Sequence, residues 1–161
     1  MNVTESSLRE GLAASLSVNR WIDEVAAGAP YESAAQLLAV AAEAATPLSA
    51  SEIDEAIAHH PRIGEQPVGE GAAQSFSRSE QSALGDDDAL VAEQIAAGNA
   101  AYEERFGRVF IIRAAGSTRA EILEELTRRL ELPNASELEI VGEQLREIAL
   151  LRLEAQFGTE Q

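Results

Sequence analysis

The chain of 161 residues contains no cysteine and no lysine, since all twelve of its basic residues are arginines. Without cysteine there are no disulfides, no thiolate nucleophiles and no cysteine-held zinc or iron–sulfur sites. Without lysine there is no Schiff base and no P-loop phosphate lysine. Chemistry is left to histidine, carboxylate, hydroxyl, arginine and backbone groups. Aromatic residues are scarce at 4%, which disfavours a sheet-rich protein. Positive charge is scarce too: 12 basic against 28 acidic residues leave a formal charge of −16. A field of that sign repels phosphate backbones and anionic lipid, so neither nucleic acid nor a membrane is expected as a partner. The start, MNVTESSLRE, lacks the basic and apolar regions of a signal peptide, and no apolar stretch approaches the ~18 residues of a membrane span. These absences lead to the expectation of a cytoplasmic protein.

What is present is helix-forming. Ala, Leu, Glu, Arg and Gln dominate, and apolar residues make up 45% of a chain of about one domain's length. The periodicity predicts an all-α, single-domain helical bundle of about eight helices. They fall near Glu5–Leu16, Val18–Ala27, Ser33–Ala45, Ser51–His59, Ser77–Leu84, Asp86–Phe106, Thr118–Leu130 and Ser136–Phe157. Gly28-Ala29-Pro30 and Thr46-Pro47 punctuate the second and third, and Pro133-Asn134 parts the last two. Two segments do not read as helix. Pro61–Gln74 is rich in Gly and Pro, and loops of that length inside a domain are usually functional or disordered. Arg108–Arg113 is an apolar run that could be extended, though one such run cannot make a sheet.

Few residues can carry chemistry. The only histidines are His59 and His60, just before Pro61. Proline pushes the preceding residue out of the helical region, so His60 sits at a helix exit, either as a cap or as an acid/base aimed into a cleft. Ser77 and Glu80 have capping-box spacing, yet Glu80 leaves from the side of Ala83 and Leu84, so capping and catalysis both stay open. In the last helix Leu138, Val141, Leu145, Ile148 and Ala149 define an apolar stripe, and Arg152 falls near its middle. An arginine directed at the core needs an anion, supplied by an internal acid or by a ligand. Arg146, Arg128 and Arg129 read as solvated surface. Gly98, in the stripe Val91, Ile95, Gly98, Tyr102, Phe106, suggests close packing; Asn99 flanks that stripe.

The order HPRIGE (60–65), SRSEQ (77–81), N-x-x-Y-x-x-x-FG-x-x-FII (99–112), IL-x-x-L-x-x-RL (122–130) and E-x-x-x-I-x-x-x-RL (143–153) resembles the 2-oxo-4-hydroxy-4-carboxy-5-ureidoimidazoline (OHCU) decarboxylases. The resemblance runs from Trp21 to Leu153. It implies an all-α bundle, a homodimer, and cofactor-free decarboxylation of an anionic ureidoimidazoline to (S)-allantoin at the end of urate oxidation. It also implies that His60 is the catalytic histidine, with Pro61 orienting it and Glu80 sharing the proton traffic. Ser77 and Gln81 would hold the ureido and ring groups, Arg152 the substrate's oxygens, and backbone amides around Phe110 and Ile111 the ring carbonyls. No metal site is implied. Two other readings use the same residues: a non-catalytic helical interaction module, and another lyase or tautomerase acting on a related heterocycle.

Overall fold

A computed structural model describes residues 3–58, 89–113 and 118–158. Seven helices and no strand stand among the described residues: α1 (Glu5–Ser15), α2 (Asn19–Ala27), α3 (Ala34–Ala44), α4 (Ala50–Ile57), α5 (Ala89–Phe106), α6 (Arg119–Arg129) and α7 (Asn134–Phe157). The protein is all-α, and each bound lies within a few residues of the sequence expectation. The expected Pro61–Gln74 loop and Ser77–Leu84 helix lie outside the described residues. Among the described residues no helix is long and apolar enough to cross a membrane. The chain divides into two compact units, Met1–Ala56 with Gly142–Gln161, and Ile57–Val141.

In the first unit the helix starts are set by side-chain caps. Thr4 accepts from the Ser7 amide at 3.1 Å and Ser33 from the Gln36 amide at 3.2 Å, each satisfying an amide with no partner inside the helix. Ser49 and Glu52 cap α4 reciprocally: Ser49 Oγ accepts from the Glu52 amide, and the Glu52 carboxylate accepts from the Ser49 amide. The same carboxylate takes a fork from Arg20 of α2, at 2.6 and 3.1 Å, while Arg20 Nη1 reaches Glu24 and the Ala44 carbonyl. The Arg20 bonds hold Glu52 well below the usual carboxylate range, at about 2.

Helix α2 packs on α1 and α3 through Trp21, which is fully buried and donates its indole N–H to the Ala41 carbonyl at 3.0 Å. Truncating such a core aromatic costs about 3–5 kcal/mol. Gly11 of α1 lets the Phe157 ring approach; a Cβ there would stand 2.7 Å from Phe157 Cζ. Gln156 Nε2 completes that seam, donating to the Gly11 carbonyl and to Ser15 Oγ.

The core of the second unit joins α5, α6 and the coil after α5: Ile95, Tyr102, Phe110, Ile112, Ile122 and Leu126. Ile95, Asn99 and Tyr102 fall on one face of α5, spaced by four and three. Gly98 is where the Leu126 side chain presses on the α5 backbone, since a Cβ there would run into Leu126 Cδ2, so the expected tight packing is present. α5 ends at Gly107, whose φ of 72° is a left-handed value that glycine adopts without steric cost. α6 begins with a full capping box between Thr118 and Glu121.

Candidate active site

Arg152 lies where the stripe of α7 placed it. Ile148, Ala149, Arg152 and Leu153 are all buried, and the arginine is 4% exposed in the first unit. Its Nη1 donates to the Ala14 carbonyl of α1 at 3.3 Å. Leaving a cation buried without partners costs on the order of several kcal/mol, and the Ala14 carbonyl is one of the groups that offset it here.

The second unit carries the coil 108–113, which is not a strand. Phe110 and Ile111 are each 1% exposed, so their side chains are core. Among the described residues the amides of residues 108–112 donate to no backbone carbonyl. Beside them Arg108 has its Nε and Nη2 buried with no hydrogen-bond partner among the described residues, and its guanidinium lies 5.4 Å from the Phe106 ring centre.

Beneath that coil is a polar network. Arg129 and Glu137 are fully buried and paired: Nε reaches the two carboxylate oxygens at 2.7 and 3.0 Å, and Nη2 also donates to Oε1. Tyr102 donates its hydroxyl to the same Oε1 at 2.7 Å. The remaining arm, Nη1, donates to the Ile111 carbonyl at 2.8 Å, and the guanidinium lies 4.6 Å from the Phe110 ring centre. Tyr102 packs edge-on to Phe110, with centroids 5.2 Å apart. Burial, then the bond to Glu137, pushes the Tyr102 hydroxyl up to about 12, so it stays a donor. The short α6–α7 connection makes the pair possible: Leu132 and Glu131 amides bond back to Arg129 and Arg128, and Arg105 of α5 donates to the Leu132 carbonyl.

This network corrects the sequence reading of Arg129 as solvated surface. Arg128 is at the surface and pairs with Glu125, but Arg129 is as buried as Ile122 and Leu126. The signal was present: Arg129 is three residues beyond Leu126 and seven beyond Ile122, within about 20° of their stripe at 100° per residue. The spacing that singles out Arg152 singles out Arg129 equally. Glu137 was missed for a related reason. The apolar stripe of α7 reads as starting at Leu138, which is only half-buried, whereas Glu137 sits four before Val141 on the buried line.

Of the candidate residues, then, Phe110 and Ile111 are buried in the second unit and Arg152 in the first. His60, Pro61, Ser77, Glu80 and Gln81 lie outside the described residues. Among the described residues no group of three or more acids or histidines could hold a metal.

Comparison with known proteins places the chain. The family model for OHCU decarboxylase matches residues 2–154. The uric acid degradation bifunctional protein TTL of Arabidopsis thaliana is 37% identical over 107 residues, covering 65% of this chain and 33% of that protein. The 2-oxo-4-hydroxy-4-carboxy-5-ureidoimidazoline decarboxylase of Mus musculus is 36% identical over 104 residues, 62% of this chain and 57% of that one. The matches thus span from a third to just over half of these relatives' length. A crystal structure of OHCU decarboxylase in the presence of (S)-allantoin is similar with a TM-score of 0.79 and 26% identity, covering 92% of this chain and 98% of that chain. A crystal structure of (S)-allantoin synthase shares the fold, with a TM-score of 0.67 at 19% identity over 96% of this chain and 51% of that one. With all but the first residue and the last few matched to one family model, the chain belongs to the OHCU decarboxylase family.

Proposed function

We propose that this protein decarboxylates OHCU to (S)-allantoin and carbon dioxide without a cofactor. The observation that carries the reading is the family match over residues 2–154, together with the likeness to a solved OHCU decarboxylase across nearly all of both chains. In the proposed reaction the bond from the ring carbon to its carboxylate breaks. The electron pair passes into the neighbouring imine or carbonyl, and a proton then returns to carbon on one face. The ring itself accepts the electrons, so the chemistry suits a chain with neither lysine nor cysteine.

The residues divide the work. His60, oriented by Pro61, moves the proton with Glu80, a step that contributes about 10²–10⁴-fold. Ser77 and Gln81 hold the ureido and ring groups. Arg152 binds substrate oxygens, and its burial strengthens that contact. The amides around Phe110 and Ile111 meet the ring carbonyl, where negative charge builds as carbon dioxide leaves. The substrate is an anion and the chain carries −16, so attraction has to be local. The buried guanidinium of Arg152 supplies it. A cytoplasmic homodimer belongs to the same proposal, and light scattering during size exclusion tests the dimer.

The test is kinetic. OHCU is made in place from urate with urate oxidase and hydroxyisourate hydrolase, and its decay is followed with and without the protein. The reading expects accelerated decay that His60→Ala abolishes while helicity stays intact. Decay at the buffer rate would reject the activity, and an unaffected His60→Ala would reject the acid/base.

A further inference from the structure

The amides of the coil 108–113 are useful to a reaction only if their direction is fixed. Among the described residues the coil has no strand partner and the amides of residues 108–112 donate to no backbone carbonyl, so ladder hydrogen bonds to described residues do not hold it. One polar side chain does. Arg129 spends two of its nitrogens on Glu137 and donates the third to the Ile111 carbonyl at 2.8 Å. The same guanidinium lies over the Phe110 ring at 4.6 Å. Glu137 in turn holds the guanidinium, Tyr102 donates to Glu137, and all three side chains are fully buried. A peptide unit is planar and trans, so fixing the Ile111 carbonyl turns the Ile112 N–H to the opposite side and fixes its plane. A planar fork bonded on both edges has little freedom left to rotate.

We propose that Arg129 is a positioning residue: pinned by Glu137, which Tyr102 holds in turn, it sets the orientation of the Ile111–Ile112 peptide, and so of the amide that this part of the coil offers to the substrate's ring carbonyl. The inference rests on the decarboxylase reading. It assigns Arg129 no contact with substrate. The device is economical, because one buried cation both stabilises the α6–α7 corner and aims the coil.

A stability role and a positioning role separate experimentally. Replacing the whole network by apolar groups of similar shape, Tyr102→Phe with Arg129→Met and Glu137→Leu, leaves no buried charge stranded, so the triple variant is expected to fold. Two readouts follow. One is the split between KM and kcat on freshly generated OHCU. The other is hydrogen exchange of the 110–112 amides with and without (S)-allantoin. A positioning role predicts at least a tenfold fall in kcat with a smaller change in KM, because the amide contact strengthens as negative charge builds on the ring carbonyl towards the transition state. It also predicts that the protection (S)-allantoin confers on these amides in wild type is lost in the variant. Arg129→Lys keeps the charge beside Glu137 but loses the two-edged fork, and it should show both effects with its melting transition retained. It decides the question should the triple variant fail to fold. Wild-type kcat and wild-type protection in either folded variant would overturn the proposal. A wild-type protein that does not turn over OHCU at all would instead overturn the activity on which it rests.

Discussion

Removing Arg129 alone should be among the costliest single changes in the second unit. Arg129→Met deletes three contacts to Glu137 and one to the Ile111 carbonyl. It leaves a carboxylate with 0% exposure and one remaining donor, the Tyr102 hydroxyl. Breaking one side of a buried ion pair costs about 3–5 kcal/mol, chiefly because the surviving charge is stranded. Against a whole-domain stability of about 5–15 kcal/mol, that is a large fraction. Removing the second charge should return most of the loss, so Arg129→Met with Glu137→Leu is expected to be more stable than Arg129→Met alone. Urea denaturation followed by far-ultraviolet circular dichroism measures both variants against wild type. An Arg129→Met variant within about 1 kcal/mol of wild type, or a double variant that loses the full sum of its singles, would refute the buried pair as the source.

Other expectations follow from particular contacts. Gly98→Ala gains about 1 kcal/mol of helix propensity but forces a Cβ against the fully buried Leu126, at a cost of about 1–3 kcal/mol, so it should be neutral to destabilising. In a Leu126→Ala background the same change should stabilise, which a double-mutant cycle in urea reads directly. Glu52 has its folded value lowered from 4.5 to about 2, so its contribution is complete above pH 4.5 and is lost as the pH falls towards 2. Thermal melts of wild type and Glu52→Gln should therefore differ most at neutral pH and converge across that window. Burial raises both tyrosines of the chain, with Tyr102 at about 12, so the folded protein should show little tyrosinate absorbance at pH 10 and gain it on unfolding. Arg152→Leu should abolish turnover with helicity retained; full activity would remove Arg152 from the site.

Most of the helical architecture was legible because 3.6-residue periodicity survives in a chain so rich in Ala, Leu and Glu. Thr4, Ser33 and Thr118 mark starts, and Gly107 marks an end, by local chemistry that needs no tertiary information. Arg152 was legible for the same reason, as a charge in the middle of an apolar stripe. Arg129 obeys the same rule yet reads as surface, because its neighbour Arg128 is on the surface and α6 is otherwise densely charged. Its burial is decided by a partner eight residues on, across a turn, and only the α6–α7 corner brings Glu137 to it. Glu137 itself has no anomaly in sequence: an acid in the first turn of a helix is where the helix dipole favours one. Residues whose role depends on meeting across a corner are the ones a periodic reading overlooks.

The stereochemistry of the product tests the central proposal most directly. Once the carboxylate has left, the ring carbon is planar, and water protonates its two faces without preference. Only a site that shields one face gives a single hand. With OHCU generated in place, circular dichroism of the allantoin formed should show the pure (S) enantiomer in the presence of the protein. Racemic allantoin, formed at the rate of the protein-free control, would contradict it.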